Sequence, residues 1–316
     1  MNSMTPADQP SNGEPTYELR CENALARERI TAWLESTHLA WPGRFHLTVH
    51  VGDSHTFTTT APEIFRQPAL IFRADPDIGT LRIEWTDAPA AAEIHPTLPQ
   101  AELWLSRAAL AQFEGAERNF LLVVLIFLLR RLGWYHVHGA ALTDPQGRGW
   151  LIAGDSNCGK STTTALLATR GWKIGTDDIG FLARRDNRIV SLGMRTPIAL
   201  RAGGLALLGD RRGVVMERRN KEGFWPEELG GSWSSVVIPE IIAFPKIGER
   251  TAVTPSSPRA ALAQLVKWSV WVLCEPAYAQ EHLDVLGQVA RQSRIYDLTL
   301  GPDLFDHPDM LEELIP

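Results

Sequence analysis

Residues 45–51 alternate apolar and polar side chains, with Phe45, Leu47, Val49 and Val51 on one side. A period of two is what a half-buried strand produces. Shorter runs at 69–73, 80–86 and 101–105 read as further strands, punctuated by Asp75-Pro76, Gly79 and Pro99. Between residues 22 and 36 the apolar positions recur at helical spacing instead. Residues 17–115 therefore read as an α+β region with a mostly antiparallel sheet. Residues 1–16, rich in Pro, Ser, Asn and Gly, read as a disordered tail. A helix at 106–113 leads to the run Phe120 to Leu129, which is apolar throughout. That run is too short for a membrane span and predicts a fully buried helix, with Asn119 near its start and Arg130-Arg131 at its negative end.

Further along, strands and helices alternate, which predicts an α/β domain over residues 116–316. Gly149-Trp150-Leu151-Ile152-Ala153 is a short apolar run of buried-strand type. Residues 162–169 read as a helix stopped by Gly171, and 172–176 as a strand. Strands at 179–183 and 188–192 flank a turn at Asp186-Asn187. Ser257-Pro258 starts a helix that carries Leu262, Leu265, Val266, Val270 and Leu273 inward. An apolar segment at 236–244, a helix at 277–292, a strand at 296–300 and a terminal helix at 303–315 complete the pattern. Residues 209–235 break it. Arg211, Arg212, Arg218, Arg219 and Lys221 cluster among glycines there, followed by Trp225 and Trp233, and the segment reads as a mobile loop. The basic cluster suits an acidic peptide or phosphates, or is a solvated loop; the two tryptophans could clasp a ligand.

The chemistry sits between the strand at 149–153 and the helix after it. Gly154-Asp155-Ser156-Asn157-Cys158-Gly159-Lys160-Ser161 fits the pattern G-x-x-x-x-G-K-[ST]. In such a loop, backbone N–H groups and the positive helix end surround phosphates. Lys160 reaches the terminal phosphates, and Ser161 holds Mg²⁺ through its hydroxyl. Residues 154–162, including Thr162, are the candidate nucleotide contacts. Counted from 161 to 170, the helix is about 15 Å long at 1.5 Å per residue. The strand that follows runs back about 16 Å. Asp177-Asp178 therefore arrives beside the loop, where two adjacent carboxylates favour a shared cation. The plainer alternative is an Asp pair that caps the next element.

His138-Gly139, the loop and its flanks, Arg170-Gly171 and Asp177-Asp178 follow one another in an order that resembles the catalytic core of HPr kinase/phosphorylase. The resemblance covers residues 134–183 and is closer to the broader group of HPr-kinase-like proteins, which includes kinases of lasso-peptide precursors, than to the bifunctional enzyme. It implies a P-loop kinase core of the phosphoenolpyruvate carboxykinase type, with ATP and Mg²⁺ as cofactors. It implies that His138 lies near the transferred phosphate, with His136 the competing histidine. It implies that the Asp pair supplies the base, which we assign to Asp177, and that Asp178 helps Ser161 hold Mg²⁺. The implied reaction is γ-phosphate transfer to a hydroxyl, a serine of a peptide or small protein. A free small-molecule hydroxyl, or nucleotide binding without turnover, are the alternatives. Two positions depart from the family: Asn157 stands where it has Gly, and Thr162 where it has Glu. The glycine-containing signature used for phosphorolysis is absent, so phosphorylase activity is not implied. HPr kinases form hexamers, so the resemblance leaves room for a homo-oligomer.

Composition narrows the classes further. With 44% hydrophobic and 22% charged residues, the chain has ample material for a core. A formal net charge of −6 gives no basic field, so nucleic acid is not an expected partner. Cys21, Cys158 and Cys274 are spread without metal spacing and suit a reducing compartment. With no apolar core in the first twenty residues, a cytoplasmic, non-membrane protein is expected. Cys158, at the start of the loop helix, is expected to have a lowered thiol pKa. Arg195, Arg201 and Lys246 are candidates for a further cation near the phosphates, because charge there must be stabilised during transfer. Arg170 suits the negative end of the loop helix.

Overall fold

The protein is described by a computed structural model over residues 17–38, 43–52, 60–75, 79–216, 220–307 and 310–314. The expected tail at 1–16 and Arg218 and Arg219 of the basic cluster lie outside the described residues. The fold is mixed α/β, with three sheets among the described residues, in two units. The first runs to Tyr135 and includes Leu273–Tyr278; the second holds His136–Val272 and the chain from Ala279 onward. Among the described residues no helix is long and apolar enough to cross a membrane.

In the first unit, β1 (Tyr17–Cys21), α1 (Ala24–Ser36) and β2 (Phe45–Val51) are followed by a meander. Its strands are β3 (Glu63–Gln67), β4 (Leu70–Ala74), β5 (Leu81–Trp85), β6 (Ala90–Ile94) and β7 (Gln100–Leu105). The sheet order is β1-β2-β7-β6-β5-β4-β3. The two pairs made by β2 are parallel and the others antiparallel. The alternation read at 45–51 holds, since Phe45, Leu47 and Val49 are buried. The Asn23 side chain caps α1 by accepting from the Ala26 N–H at 3.0 Å. Strand β6 is absent from the sequence reading. Its Ala-Ala-Ala-Glu-Ile sequence has poor strand propensity, and pairing on both sides decides the matter.

After α2 (Arg107–Ala111) and α3 (Phe113–Ala116), the apolar run forms a π turn at 117–121 and then α4 (Leu122–Arg130). Every residue from Val123 to Arg130 is buried. The two arginines at its end do more than meet the helix dipole. Arg130, only 1% exposed, donates to Glu275 Oε2 at 3.2 Å, and Arg131 donates to the same oxygen at 2.7 Å. Burial pushes the Arg130 pKa down, and the Glu275 charge pulls it back up. Removing one partner of such a cluster leaves a buried charge uncompensated.

The second unit is built on a ten-stranded mixed sheet. Its elements begin with β8 (Tyr135–Thr143), β9 (Gly149–Ala153), α5 (Lys160–Ala168), β10 (Lys173–Thr176), β11 (Ile179–Arg185) and β12 (Arg188–Gly193). A small sheet of β13 (Ile198–Leu200), β14 (Val214–Met216) and β15 (Lys221–Phe224) follows, with α6 (Ala202–Leu205) inside it and α7 (Pro226–Leu229) after it. Then come β16 (Ser232–Trp233), β17 (Val236–Val237), β18 (Pro239–Ile247), β19 (Ala252–Pro255), α8 (Pro258–Lys267), α9 (Pro276–Gln292), β20 (Arg294–Leu300), α10 (Asp303–Asp306) and α11 (Met310–Leu314). The main path is β17-β12-β11-β8-β9-β18-β20-β19, with β10 and β16 joined to it through β8. Strands β9, β18 and β20 are parallel neighbours, and β8 runs antiparallel to β9. Helix α5 packs on one face through Ala165, Leu166 and Ala168, in one core with Ile152, Ile174 and the edge-on pair Trp150–Trp172, whose rings lie 5.1 Å apart.

Two expectations change here. Residues 209–235, read as a loop, carry β14, β15, α7 and β16, because β13 supplies a pairing partner distant in sequence. Helix α8 stops at Lys267, so Val270 and Leu273 do not face inward as the helical spacing suggested; they are 46% and 75% exposed.

The buried arginine cluster gives a stability test. Glu275→Ala should cost about 3–5 kcal/mol, the usual loss when one partner of a buried ion pair is deleted. The urea midpoint reads this directly, and a midpoint equal to that of the unmodified protein would remove the cluster from the fold's supports.

Candidate functional site

The loop Gly154 to Gly159 leaves the end of β9, and Gly159 opens α5 as its N-cap with φ of 102°. Asn157 also has positive φ, at 65°. The left-handed region favours Gly and tolerates Asn better than most residues. Asn therefore suits position 157. A side chain at Gly159 would also collide, since a Cβ there would lie 2.5 Å from Leu300 Cδ1.

Lys160 is the first residue of α5 and is 5% exposed. Its ammonium donates to Gly154 O at 2.8 Å, to Asp155 O at 2.8 Å and to His138 Nε2 at 3.1 Å. An ammonium has three hydrogens and no acceptor. The Nε2 of His138 therefore accepts, which leaves the ring proton on Nδ1. Nδ1 faces Asp178 Oδ1 at 3.1 Å. Burial lowers the His138 pKa, with Lys160 adding to the effect and Asp178 opposing it. The ring is thus neutral at pH 7 and links the ammonium to the carboxylate. His138 lies one position beyond the last β8–β9 pair, Gly139↔Ala153, and its N–H donates to Trp268 O at 3.0 Å. His136, two residues earlier and so on the same face of β8, packs edge-on against Phe181 at 5.9 Å.

The Asp pair sits in a turn that Thr176 closes. Its hydroxyl donates to Ile179 O at 2.9 Å and accepts from the Ile179 N–H at 3.2 Å. The two carboxylates then differ. Asp177 is 3% exposed, while the Asp178 side chain is 47% exposed. Burial raises the Asp177 pKa to about 6, and Asp178 adds to the rise; Ser161, Thr164 and Lys160 pull against it. Asp177 Oδ1 is buried without a hydrogen-bond partner. Ser161 and Thr164 stand close enough to lower the pKa, but neither completes a well-formed bond to that oxygen. Thr164, one turn along α5, is a contributor that the sequence reading did not name. The run Ser161-Thr162-Thr163-Thr164 carried the signal, because four hydroxyl residues are poor helix formers and need another reason to be there. Within the loop, Asp155 Oδ1 accepts from the Ser156 N–H at 2.7 Å.

The other candidates are placed less centrally. Arg195 stacks over Trp225 at 4.9 Å and donates to Glu227 at 3.3 Å. Arg201 is the exposed N-cap of α6. Lys246 is exposed near the end of β18, the strand beside β9. Arg170 follows α5 and is exposed. The expected lowering of the Cys158 pKa is not found: burial raises it, and Lys160 only partly offsets this. A hollow of about 370 Å³ in the first unit, lined by Glu18, His46, His95 and Glu102 among others, contains none of these candidates.

The donors suit a hard cation held partly by a ligand. Among the described residues no cluster of three or more His, Cys, Asp or Glu side chains could hold a metal by itself. Ser161 and the half-exposed Asp178 carboxylate are oxygen donors of the kind that Mg²⁺ uses together with phosphates and water.

No family model matches the sequence, and no curated protein matches it. Solved structures similar to the chain include the Hpr(Ser) kinase/phosphatase from Coxiella burnetii, at 12% identity, with a TM-score of 0.30, over 56% of this chain and 88% of that one. The likeness is weak, and the reading of the site rests on its own geometry.

Asp177 yields a pH test on the protein without nucleotide or metal. Its folded pKa lies above the ordinary 3.8, so its contribution to stability is full below about pH 4 and is lost as pH rises through about 6. At 1.36 kcal/mol per unit, the loss is about 3 kcal/mol. Asp177→Asn escapes that loss. Its melting temperature should exceed that of the unmodified protein at pH 8, and the gap should close by pH 4. An equal gap at both pH values would contradict the buried, unsatisfied carboxylate.

Proposed function

We propose that the protein is an ATP-dependent kinase with an HPr-kinase-like P-loop core, which transfers the γ-phosphate to a hydroxyl, a serine of a peptide or small protein. The observation that carries this reading is the chain Lys160–His138–Asp178 set beside the buried carboxyl of Asp177 at the mouth of a glycine-bounded loop. Nucleotide binding alone asks for no base, and the buried Asp177 carboxyl offers one.

Bound ATP would supply the transferable group, and Mg²⁺ would neutralise charge around it. The residues divide the rest. The loop amides of 154–162 and Lys160 hold the phosphates. Ser161 and Asp178 hold the metal. Asp177, with a pKa near 6, accepts the proton of the acceptor hydroxyl, and a positioned base of this kind contributes about 10²–10⁴-fold. His138 fixes the orientation of Asp178 and accepts from Lys160, so the cation and the metal ligand are set by one ring. Positioning and charge neutralisation supply most of the acceleration in phosphoryl transfer. Of the three cations considered, Lys246 is the one at the same strand ends as the loop, and we assign it to the phosphate field. The second unit is the proposed kinase unit. A free small-molecule acceptor would use the same groups.

Lys160→Ala and Asp177→Asn separate the roles. Calorimetry with ATP and Mg²⁺ should show at least about a tenfold loss of affinity for Lys160→Ala and little change for Asp177→Asn. Transfer of labelled phosphate from ATP to arrayed serine peptides should fall about 10²-fold or more for Asp177→Asn. Unchanged ATP affinity in Lys160→Ala would overturn the phosphate-loop assignment. Full activity in Asp177→Asn would overturn the base.

A further inference from the structure

The strand ends beside the loop carry an aliphatic side chain that the core does not use. Ile247, the last residue of β18, is 65% exposed, whereas its register partner on β20, Leu300, is 6% exposed. Both reach the loop. A Cβ on Gly159 would lie 2.5 Å from Leu300 Cδ1 and 3.4 Å from Ile247 Cδ1. Ile247 is therefore an open apolar surface beside the glycine that caps α5.

That surface is rigidly held. The Gly248 N–H donates to Leu300 O at 3.0 Å, which closes the strand ends on each other. Past the turn, the Thr251 N–H donates to Asp303 Oδ1 at 2.9 Å and the Thr251 hydroxyl donates to it at 2.7 Å. The Thr251 hydroxyl oxygen in turn accepts from the Gly301 N–H at 3.0 Å. These bonds pull the Asp303 pKa down, so the carboxylate stays ionised. An exposed isoleucine on so well-fixed a support is a shelf ready for an apolar ligand face.

Topology says which part of a ligand arrives there. In the order β11-β8-β9-β18-β20, the loop follows β9. His138 is on β8, and the Asp pair follows β10, which also pairs with β8. The reactive groups thus flank the loop on one side and Ile247 flanks it on the other. A nucleoside triphosphate is an extended ligand, and with its terminal phosphate toward β8 its nucleoside must leave the loop toward β18 and β20.

We propose that Ile247 is the floor of the nucleobase subsite, packing its aliphatic side chain against the flat face of the base. The inference rests on the nucleotide reading above and adds to it the residue that separates a nucleotide from bare polyphosphate. An aliphatic side chain offers no hydrogen bond to the edge of a base, so Ile247 contributes affinity for the heterocycle and not a choice between purines.

The test compares two ligands on the full chain: ADP and inorganic tripolyphosphate, each with Mg²⁺, titrated by calorimetry into the unmodified protein, Ile247→Ala and Ile247→Asn. Because Ile247 is exposed, both variants should melt like the unmodified protein, and melting curves check this. The expected result is a Kd for ADP raised about tenfold or more, with the Kd for tripolyphosphate within about twofold. ADP affinity that stays within about twofold in both variants overturns the proposal, as does tripolyphosphate affinity that falls in step with ADP. If the unmodified protein binds tripolyphosphate but not ADP, the base subsite is refuted while the phosphate loop stands. If it binds neither, the nucleotide reading fails and this inference fails with it.

Discussion

The Lys160 ammonium is the charge around which the site is arranged. It is almost fully buried, and a buried ammonium is costly unless every donor finds an acceptor. Two acceptors are carbonyls of the loop itself, Gly154 and Asp155, so satisfying the charge requires the loop to curl around it. The positive φ values at Asn157 and Gly159 are the backbone's part in that curl. The third acceptor is His138, and here the constraint leaves the loop. Because Lys160 can only donate, the ring must carry its proton on Nδ1, and that proton points to Asp178. One cation thereby settles the shape of a loop, the tautomer of a histidine and the aim of a carboxylate on three separate elements.

Asp177 and Asp178 are adjacent in sequence and unlike in environment. The turn closed by Thr176 turns one inward and leaves the other half open to solvent. Unlike surroundings of two neighbouring carboxyls are how one site comes to hold both an acid–base group and a metal ligand. In the proposed reaction this difference divides proton transfer from metal binding without any difference in residue type.

Much of this was legible in the chain. Period-two alternation predicts β2 to the residue, and matching the length of α5 against β10 predicts the Asp pair beside the loop, where Ser161 and Asp177 meet. What escaped was non-local. The strand β6 looks like helix-forming alanine and becomes a strand because β5 and β7 bracket it. The 209–235 segment looked irregular because β15 pairs with β13, whose sequence lies on the far side of the masking charge and glycine runs. The Cys158 thiol illustrates the same limit, since the helix end was visible in sequence but the burial that outweighs it was not. The roles of Arg130 and Arg131 needed a carboxylate 145 and 144 residues away.

That last distance bears on how the protein is made. Synthesis runs from the N-terminus, and domains commonly fold as they emerge. Here the first unit includes Leu273–Tyr278, a segment made long after the rest of it. Its helix α4 ends in a buried guanidinium whose counter-charge, Glu275, is translated after most of the second unit. Until then the ion pair of Arg130 with Glu275 has not formed. The ribosome therefore releases the sheet of the first unit long before it supplies Glu275, so the ion pairs of Glu275 with Arg130 and Arg131 are a late event in the life of the nascent protein.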